Sequence, residues 1–600
     1  MSFSYVIMQK NDLHTFHIPV MGLAFTIDSP IRVAQYGISS VIALADDDLI
    51  EKMNAFYCEK FQLPYQEIST KIADYRAKRI TSYLNLVQTI VTKKYENLKT
   101  ELVKNKTALD AYLEMLPDSA TLKKNLHNWI SESKESLQNY IDYHLRAGAI
   151  DVNIMTKLDK ANFIKKEALP SKFNDAHAAL RGFANSNLNS SVILSAGMNP
   201  RLFGYFAELD AFFPNEFGEL TKKITLKVSD YRSALIQGNF LAKKGLWVSE
   251  NRIESGLNCG GHAFATEGYL LGPILEEFKT KREELQNSVY ELWCNALANK
   301  GKTIPEKPLP LKLTVQGGVG TAEEHQFLLD YYNMDSVGWG SPFLLVPEAT
   351  SVDAATRRLL AQAQESDFYL SHISPLGVPF NTVKGTTNEW LKQQRINEQK
   401  AGSSCPKKFL ALSKELGEQG VCTASKKYQD YKLSELEQSK NALSEVNYLQ
   451  QKESITQKSC LCVGLANPSY LENGLEIKGQ DQGVVVCPGP NLAYFDKEVS
   501  LPDMVQHIYG RKSVLHNENR PHFFIKELKL YLHYFQNEIV LKSALDHPKE
   551  LNKILLFKNH VLKGIAYYEN LMNTISYFKN DKKRIQGQLA EVKRALIELC

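Results

Sequence analysis

The stretch Leu311-Lys-Leu-Thr-Val-Gln-Gly-Gly-Val-Gly-Thr-Ala-Glu-Glu324 decides the reading of this chain. An apolar run ends in Gly317, Gly318 and Gly320, and a helix start follows, so the order is strand, tight turn, helix. Glycines there let backbone N–H groups converge on an anion, in front of the positive end of the helix dipole. A second small-residue turn follows in Met334-Asp-Ser-Val-Gly-Trp-Gly-Ser-Pro-Phe-Leu344. One glycine turn after a strand is ordinarily only a turn. Two after successive strands are how a (β/α)₈ barrel holds a phosphate beyond strands 7 and 8.

Working outward, short apolar runs recur at Ala149–Met155, Ser191–Ser195, Ile224–Val228 and Ser336–Gly340, each followed by turn residues and a helical pattern. Parallel strands buried on both faces look like this. Near the start, Ile18–Gly22 and Ser39–Ala45 read as two strands with a short helix, Val33–Gly37, between them, which is a βαβ unit. The expected fold is therefore α/β, a (β/α)₈ barrel with additions. Residues 1–50 and 146–400 form the barrel, 51–145 an α-helical insertion, 401–500 a cysteine-containing, loop-rich region, and 501–600 a helical extension. In the insertion Leu84, Val87, Val91, Tyr95, Leu98 and Leu102 step by three and four along one helix face. Packing of that face on the barrel is the plainer reading, and a coiled-coil dimer arm the other. The chain closes on an amphipathic helix over Asp581–Leu599.

At 600 residues the chain exceeds one ordinary barrel, which takes about 250. A hydrophobic share of 44% beside 23% charged residues suits a buried core. The 71 basic and 67 acidic residues nearly cancel, so nothing argues for nucleic acid or an anionic membrane as partner. The first residues do not read as a signal peptide, and no apolar run approaches the roughly 18 residues of a membrane span. A cytoplasmic enzyme is the expectation, with its nine cysteines reduced.

Ser255-Gly-Leu-Asn-Cys-Gly-Gly-His-Ala-Phe264 follows another strand and presents His262 on a loop. A loop histidine can exchange a proton with a bound substrate near neutral pH, or can simply bond backbone. Paired glycines beside it keep both readings open.

Here the chain resembles the FMN-dependent nitronate monooxygenases and flavin-type enoyl-ACP reductases. Gly256–His262 is similar to their Glu-Ala-Gly-Gly-His signature, with Asn258 and Cys259 in place of Glu-Ala. Asp151–Met155 resembles their Gly-Val-Asn-Ile-Met strand, and Leu194–Pro200 their Thr-Thr-Gly-Ala-Gly-Asn-Pro turn. Gln316–Gly320 resembles their Ala-Gly-Gly-Ile-Ala loop, and Val337–Leu344 their Val-Gln-Val-Gly-Thr-Arg-Phe-Leu segment. Pro19–Ala24 falls at their first flavin loop. The matches keep their order from about residue 16 to 378, with the helical block inserted. The resemblance implies that Gly22 and Ala24 pack near the flavin ring and that Asn153 and Gly197 line the pocket. Gly317, Gly318, Gly340 and Ser341 would hold the FMN phosphate. It implies His262 as acid/base, with Cys259 a thiol beside it. The departures leave substrate and electron acceptor open.

Cys405, Cys422, Cys460, Cys462 and Cys487 fall together in the loop-rich region. Thiolates at irregular turns suit an iron–sulfur cluster or, less readily, zinc, and ordinary structural thiols are the other reading, since the spacing matches no ferredoxin or zinc ribbon. Two functions follow. One is an FMN oxidoreductase acting on a small or acyl substrate, fed by NAD(P)H or an electron-donor protein and open to homo-oligomerisation. The other is a flavin-binding scaffold without turnover, whose helical additions bind a partner protein.

Overall fold

The computed structural model describes residues 12–599 apart from 125–132, 165, 196, 261–266, 478–481, 517–519, 544–547 and 579–580. Eight strands pair in parallel and close on themselves: β1 (Phe16–Ile18), β2 (Ser39–Ala43), β3 (Ile150–Ile154), β4 (Ser190–Leu194), β5 (Lys222–Val228), β6 (Val248–Glu254), β7 (Lys312–Gln316) and β8 (Ser336–Gly338). Each pairs with its neighbours in sequence, and β1 returns to β8 through Phe16↔Val337 and His17↔Gly338. The (β/α)₈ barrel expected from the two glycine loops is the fold observed.

The first strand lies earlier than the apolar pattern suggests. Ile18–Gly22 reads as a strand, but pairing stops at Ile18. Pro19 has no N–H for the ladder, and Gly22 adopts φ +56°, so this segment turns over the rim instead.

Helices surround the barrel. Helix α1 (Asp47–Lys60) is capped by Asp46, whose carboxylate accepts the Leu49 N–H at 3.0 Å. Helix α2 (Tyr75–Lys104) buries Leu84, Val87, Val91 and Leu102, the stripe expected from its spacing. It is joined to the barrel layer by Tyr83, whose hydroxyl donates to Ile27 O at 2.9 Å, and by close approach to Gly182, where a Cβ would fall 2.8 Å from Ala77 O. The last helix, Lys582–Glu598, buries Ile585, Leu589, Val592 and Leu596 along one face. Among the described residues no helix is long and apolar enough to cross a membrane.

What fills the barrel is unusual. Such interiors are ordinarily layers of bulky branched side chains. On β5 to β8 those residues (Ile224, Leu226, Ile253, Leu313, Val315, Val337) occupy the alternate positions that face the helices, while Val41 on β2 and Ile193 on β4 stay inside. The inward set in register comprises Thr225, Glu250 and Lys312, then Lys227, Arg252, Thr314 and Ser336, then Glu254, Gln316, Gly338 and His17. Buried charge needs partners. Glu250 accepts from Arg252 Nε at 2.8 Å and from Thr314 Oγ1 at 2.5 Å. Burial alone would raise its carboxyl; Arg252 outweighs this and holds it down to about 2. Asp151, with only partial compensation from Arg252, is raised by burial to about 6.

Candidate active site

The C-terminal rim of the barrel gathers the uppermost inward residues. Glu254, at the end of β6, receives three donors on one oxygen, Oε1: Lys227 Nζ at 2.8 Å, Asn258 Nδ2 at 2.6 Å and Gln316 Nε2 at 2.8 Å. Three buried polar atoms beneath the rim have no hydrogen-bond partner among the described residues: Asn153 Oδ1, Gln316 Oε1 and His17 Nε2. The last two face Gly338, where a Cβ would lie 3.0 Å from His17 Nε2 and 3.4 Å from Gln316 Oε1. Burial, with Arg252 adding to it, drives the His17 pKa well down, so its imidazole is neutral and bonds Ser336 Oγ through Nδ1 at 2.9 Å. Lys227 and Glu254 carry no motif. Their signal in the sequence was charge at every second position, as in Glu250, Arg252 and Glu254.

The glycine loops lie beside this rim. Gly317 and Gly318 have φ +112° and +85°, which side chains rarely tolerate. A Cβ on Gly317 would sit 2.9 Å from Asn258 N, and one on Gly318 2.6 Å from Leu257 Cδ1. The β6 loop thus lies directly against the β7 loop. It reaches β8 as well, since a Cβ on Gly340 would lie 3.1 Å from Cys259 Cβ. Among the described residues, no acceptor is hydrogen-bonded to the backbone N–H of Gly317, Gly318, Val319 or Gly340.

Helix α3 (Ala322–Asp330) begins behind the loop, capped by Thr321. Its N-terminus already faces an anion. Glu324 Oε2 accepts the Gly320 N–H at 2.9 Å, while Oε1 accepts from Arg520 Nη1 at 2.6 Å and from Phe523 N at 2.9 Å. Arg520 also donates to Gly318 O and, at 2.6 Å, to Asn491 Oδ1; Asn491 Nδ2 donates to Val319 O at 2.9 Å. Residues far along the chain therefore brace the loop, and nothing local in the sequence marks them.

The remaining sequence candidates separate. Gly22 and Gly197 (φ +108°) sit half-buried on the rim, whereas Ala24 is fully buried in the surrounding core. The Ser341 hydroxyl is engaged: it accepts the Gly489 N–H at 2.8 Å and bonds the Cys259 thiol. Cys259 is buried, its thiol pushed up to about 12 by desolvation, and it donates to Cys487 O at 3.3 Å. His262 lies outside the described residues.

The five cysteines expected to form one metal centre divide between two places. Among the described residues no group of three or more His, Cys, Asp or Glu is arranged to hold a metal ion. Cys487 belongs to the barrel rim, where its thiol meets the backbone of Gly22 and Gly260. Cys405 bonds Cys422 and the Lys408 backbone, and Cys462 bonds the Leu410 backbone. Burial keeps the Cys462 and Cys487 thiols far above their ordinary range, whereas the bond from Cys422 lowers the Cys405 thiol to about 7.

The site fits a mononucleotide on some atoms and not on others. The unpaired N–H groups of the β7 and β8 loops suit a phosphate, and Asn153 and Lys227 offer polar contacts at the rim. The Ser341 hydroxyl and the α3 N-terminus are not free for that phosphate, because Gly489 and Glu324 occupy them.

No family model and no curated protein matches this chain. Among solved structures it is similar to the enoyl reductase domain of MlnA from the macrolactin biosynthesis cluster of Bacillus amyloliquefaciens, at 14% identity and a TM-score of 0.39, over 89% of this chain and 96% of that one. It is also similar to FabK from Thermotoga maritima, at 11% identity and a TM-score of 0.34, over 83% and 93%. The barrel assignment rests on the strand pairing itself.

Proposed function

We propose that this chain is an FMN-dependent oxidoreductase of the class containing nitronate monooxygenases and flavin-type enoyl reductases, acting on a small or acyl substrate. The observation that carries the reading is the row of unpaired N–H groups on two successive glycine loops after β7 and β8. When bound there, FMN would supply reversible two-electron hydride chemistry. Backbone N–H groups of Gly317, Gly318 and Gly340 hold the phosphate in this reading, without help from the Ser341 hydroxyl. Asn153 Oδ1 and the Lys227–Glu254 pair orient polar groups at the barrel mouth. His262 remains the acid/base candidate implied by the resemblance.

The second reading, a flavin-binding scaffold without turnover, draws on a different observation. The extension ties down the β7 loop through Arg520, and the loop-rich region before it ties down the β8 loop through Gly489, which suits a static platform. One experiment separates the two. Protein purified without oxygen should show flavin bands at roughly 370 and 450 nm, and NAD(P)H or another donor should bleach them. Bound flavin that no donor reduces would favour the scaffold; purified protein that neither carries nor takes up FMN would refute both.

A further inference from the structure

The chain leaves β6 at Ser255, and the next described helix begins at Leu271. Connections of this kind in barrels usually take about 2–6 residues, so a connection this long needs something to hold its course. Both of its ends meet one side chain. Glu527, on helix α4 (Phe523–Ser543) of the C-terminal extension, accepts the Ser255 hydroxyl on Oε1 at 3.1 Å and the Leu271 N–H on Oε2 at 2.9 Å. The carboxyl also takes the Gly256 N–H and a bond from the Tyr568 hydroxyl, and Tyr568 in turn accepts the Gly272 N–H at 3.0 Å. Ser255 Oγ accepts the Leu257 N–H at 3.1 Å, which carries the same chain of bonds one step further into the loop.

Packing agrees with the hydrogen bonds. A Cβ on Gly256 would fall 3.0 Å from Tyr531 Cε1, and one on Gly272 2.2 Å from Tyr568 Cε1. Both loop ends therefore lie flat against aromatic rings of the extension. Glu527 is only 1% exposed, and a buried carboxyl is retained only where several donors meet it.

We propose that Glu527 is a positioning residue: by bonding the chain at Ser255 and at Leu271 it sets where the segment Ser255–Gly260 lies against the β7 and β8 loops. The loop segment it fixes, Ser255–Gly260, is the one that seats Leu257 on Gly318, Asn258 on Gly317 and Cys259 on Gly340. The importance of this for catalysis rests on the reading of the mouth as the flavin site; the positioning itself does not. Burial raises the Glu527 carboxyl to about 7, so protonated and ionised forms coexist at neutral pH. Either form spans the gap, because one oxygen can accept from Leu271 N–H while the other exchanges a hydrogen bond with Ser255. Glutamine has the same reach but only one acceptor oxygen, so it keeps the Leu271 N–H and gives up part of the remaining set. Aspartate is one methylene short, and alanine has no polar group.

The test is residue-specific alkylation of the native protein with iodoacetamide, read by peptide mass spectrometry. Cys259 is buried in the positioned loop, and Cys58 is equally buried on α1, away from it. In Glu527→Ala and in Ser255→Ala, Cys259 should be alkylated roughly tenfold faster or more, as expected where a local contact is lost. Cys58 should keep its wild-type rate in every variant, and Glu527→Gln should accelerate Cys259 less than Glu527→Ala does. Should Glu527→Ala not fold, Ser255→Ala with Glu527→Gln carries the test. An unchanged Cys259 rate in Ser255→Ala, a Cys259 rate in Glu527→Gln above that of Glu527→Ala, or parallel acceleration of Cys58 would each overturn the proposal. Flavin retention, measured on the same samples, reports on the flavin reading separately.

Discussion

Lys227 Nζ lies 2.8 Å from Glu254 Oε1 at the rim of the barrel, on neighbouring strands and with both side chains largely buried. The pair is asymmetric. Glu254 also serves Asn258 and Gln316, whereas Lys227 depends on Glu254. Lys227→Ala should therefore cost less than Glu254→Ala, which strands a lysine and releases both Asn258 and Gln316: roughly 1 against 3 kcal/mol. Urea unfolding of the two variants measures this, and a reversed order would show that the lysine organises the site.

The phosphate reading makes a sharper demand. Gly318→Asp sets a side chain at φ +85° against Leu257 and brings negative charge to the unpaired N–H groups. FMN should be lost from the purified protein while circular dichroism still reports the barrel. A folded variant with a full complement of FMN would remove the site from the β7 loop.

Arg520 and Glu324 form a buried ion pair at 2.6 Å. Removing one partner leaves the other charge stranded, at about 3–5 kcal/mol. Arg520→Met should thus destabilise strongly. The double variant Arg520→Met, Glu324→Gln should recover part of the loss, and a double-mutant cycle quantifies the coupling. Additive losses would mean that the two residues act independently.

Acid stability should follow the barrel interior. Glu250 has a folded pKa of about 2 against 4.5 for a free glutamate, so its contribution is present above pH 4.5 and is lost as pH falls towards 2. That difference corresponds to roughly 3 kcal/mol. Asp151 has the opposite sign: raised to about 6, it keeps its proton in the fold while the unfolded chain releases it near 3.8, so stability declines as pH rises from 3.8 to 6. Glu250→Gln should flatten the lower limb of the stability–pH profile and Asp151→Asn the upper. Profiles that keep both limbs would locate the titration elsewhere.

His262→Ala should retain FMN, since the phosphate is held by backbone groups, while turnover falls by about 10² to 10⁴. Stopped-flow measurement of the two half-reactions checks it. Flavin reduction should be affected far less than the step that transfers a proton to or from substrate, and an unchanged substrate half-reaction would make His262 structural.

The barrel was legible from Leu311–Glu324 outward, because glycines at a strand end and apolar runs at a steady spacing are local properties of the chain. So were the α2 stripe and the positions at which only glycine fits, Gly317 and Gly318. The polar interior was half visible. Charges at Glu250, Arg252 and Glu254 follow the strand period of two, but which face turns inward depends on the closed register with Thr225, Thr314 and Gln316. The partners of the site were not visible at all. Arg520 reaches Glu324 across 196 positions and Glu527 reaches Ser255 across 272, and separations of that size leave no periodic trace. The cysteines mark the same boundary. Their nearness in sequence suggested one metal centre, yet Cys487 went to the rim beside Cys259 while Cys405 paired with Cys422. Local patterns determine which elements form; which side chains then share a buried, low-dielectric space is decided only when distant segments pack, because each buried charge or donor must find its partner there.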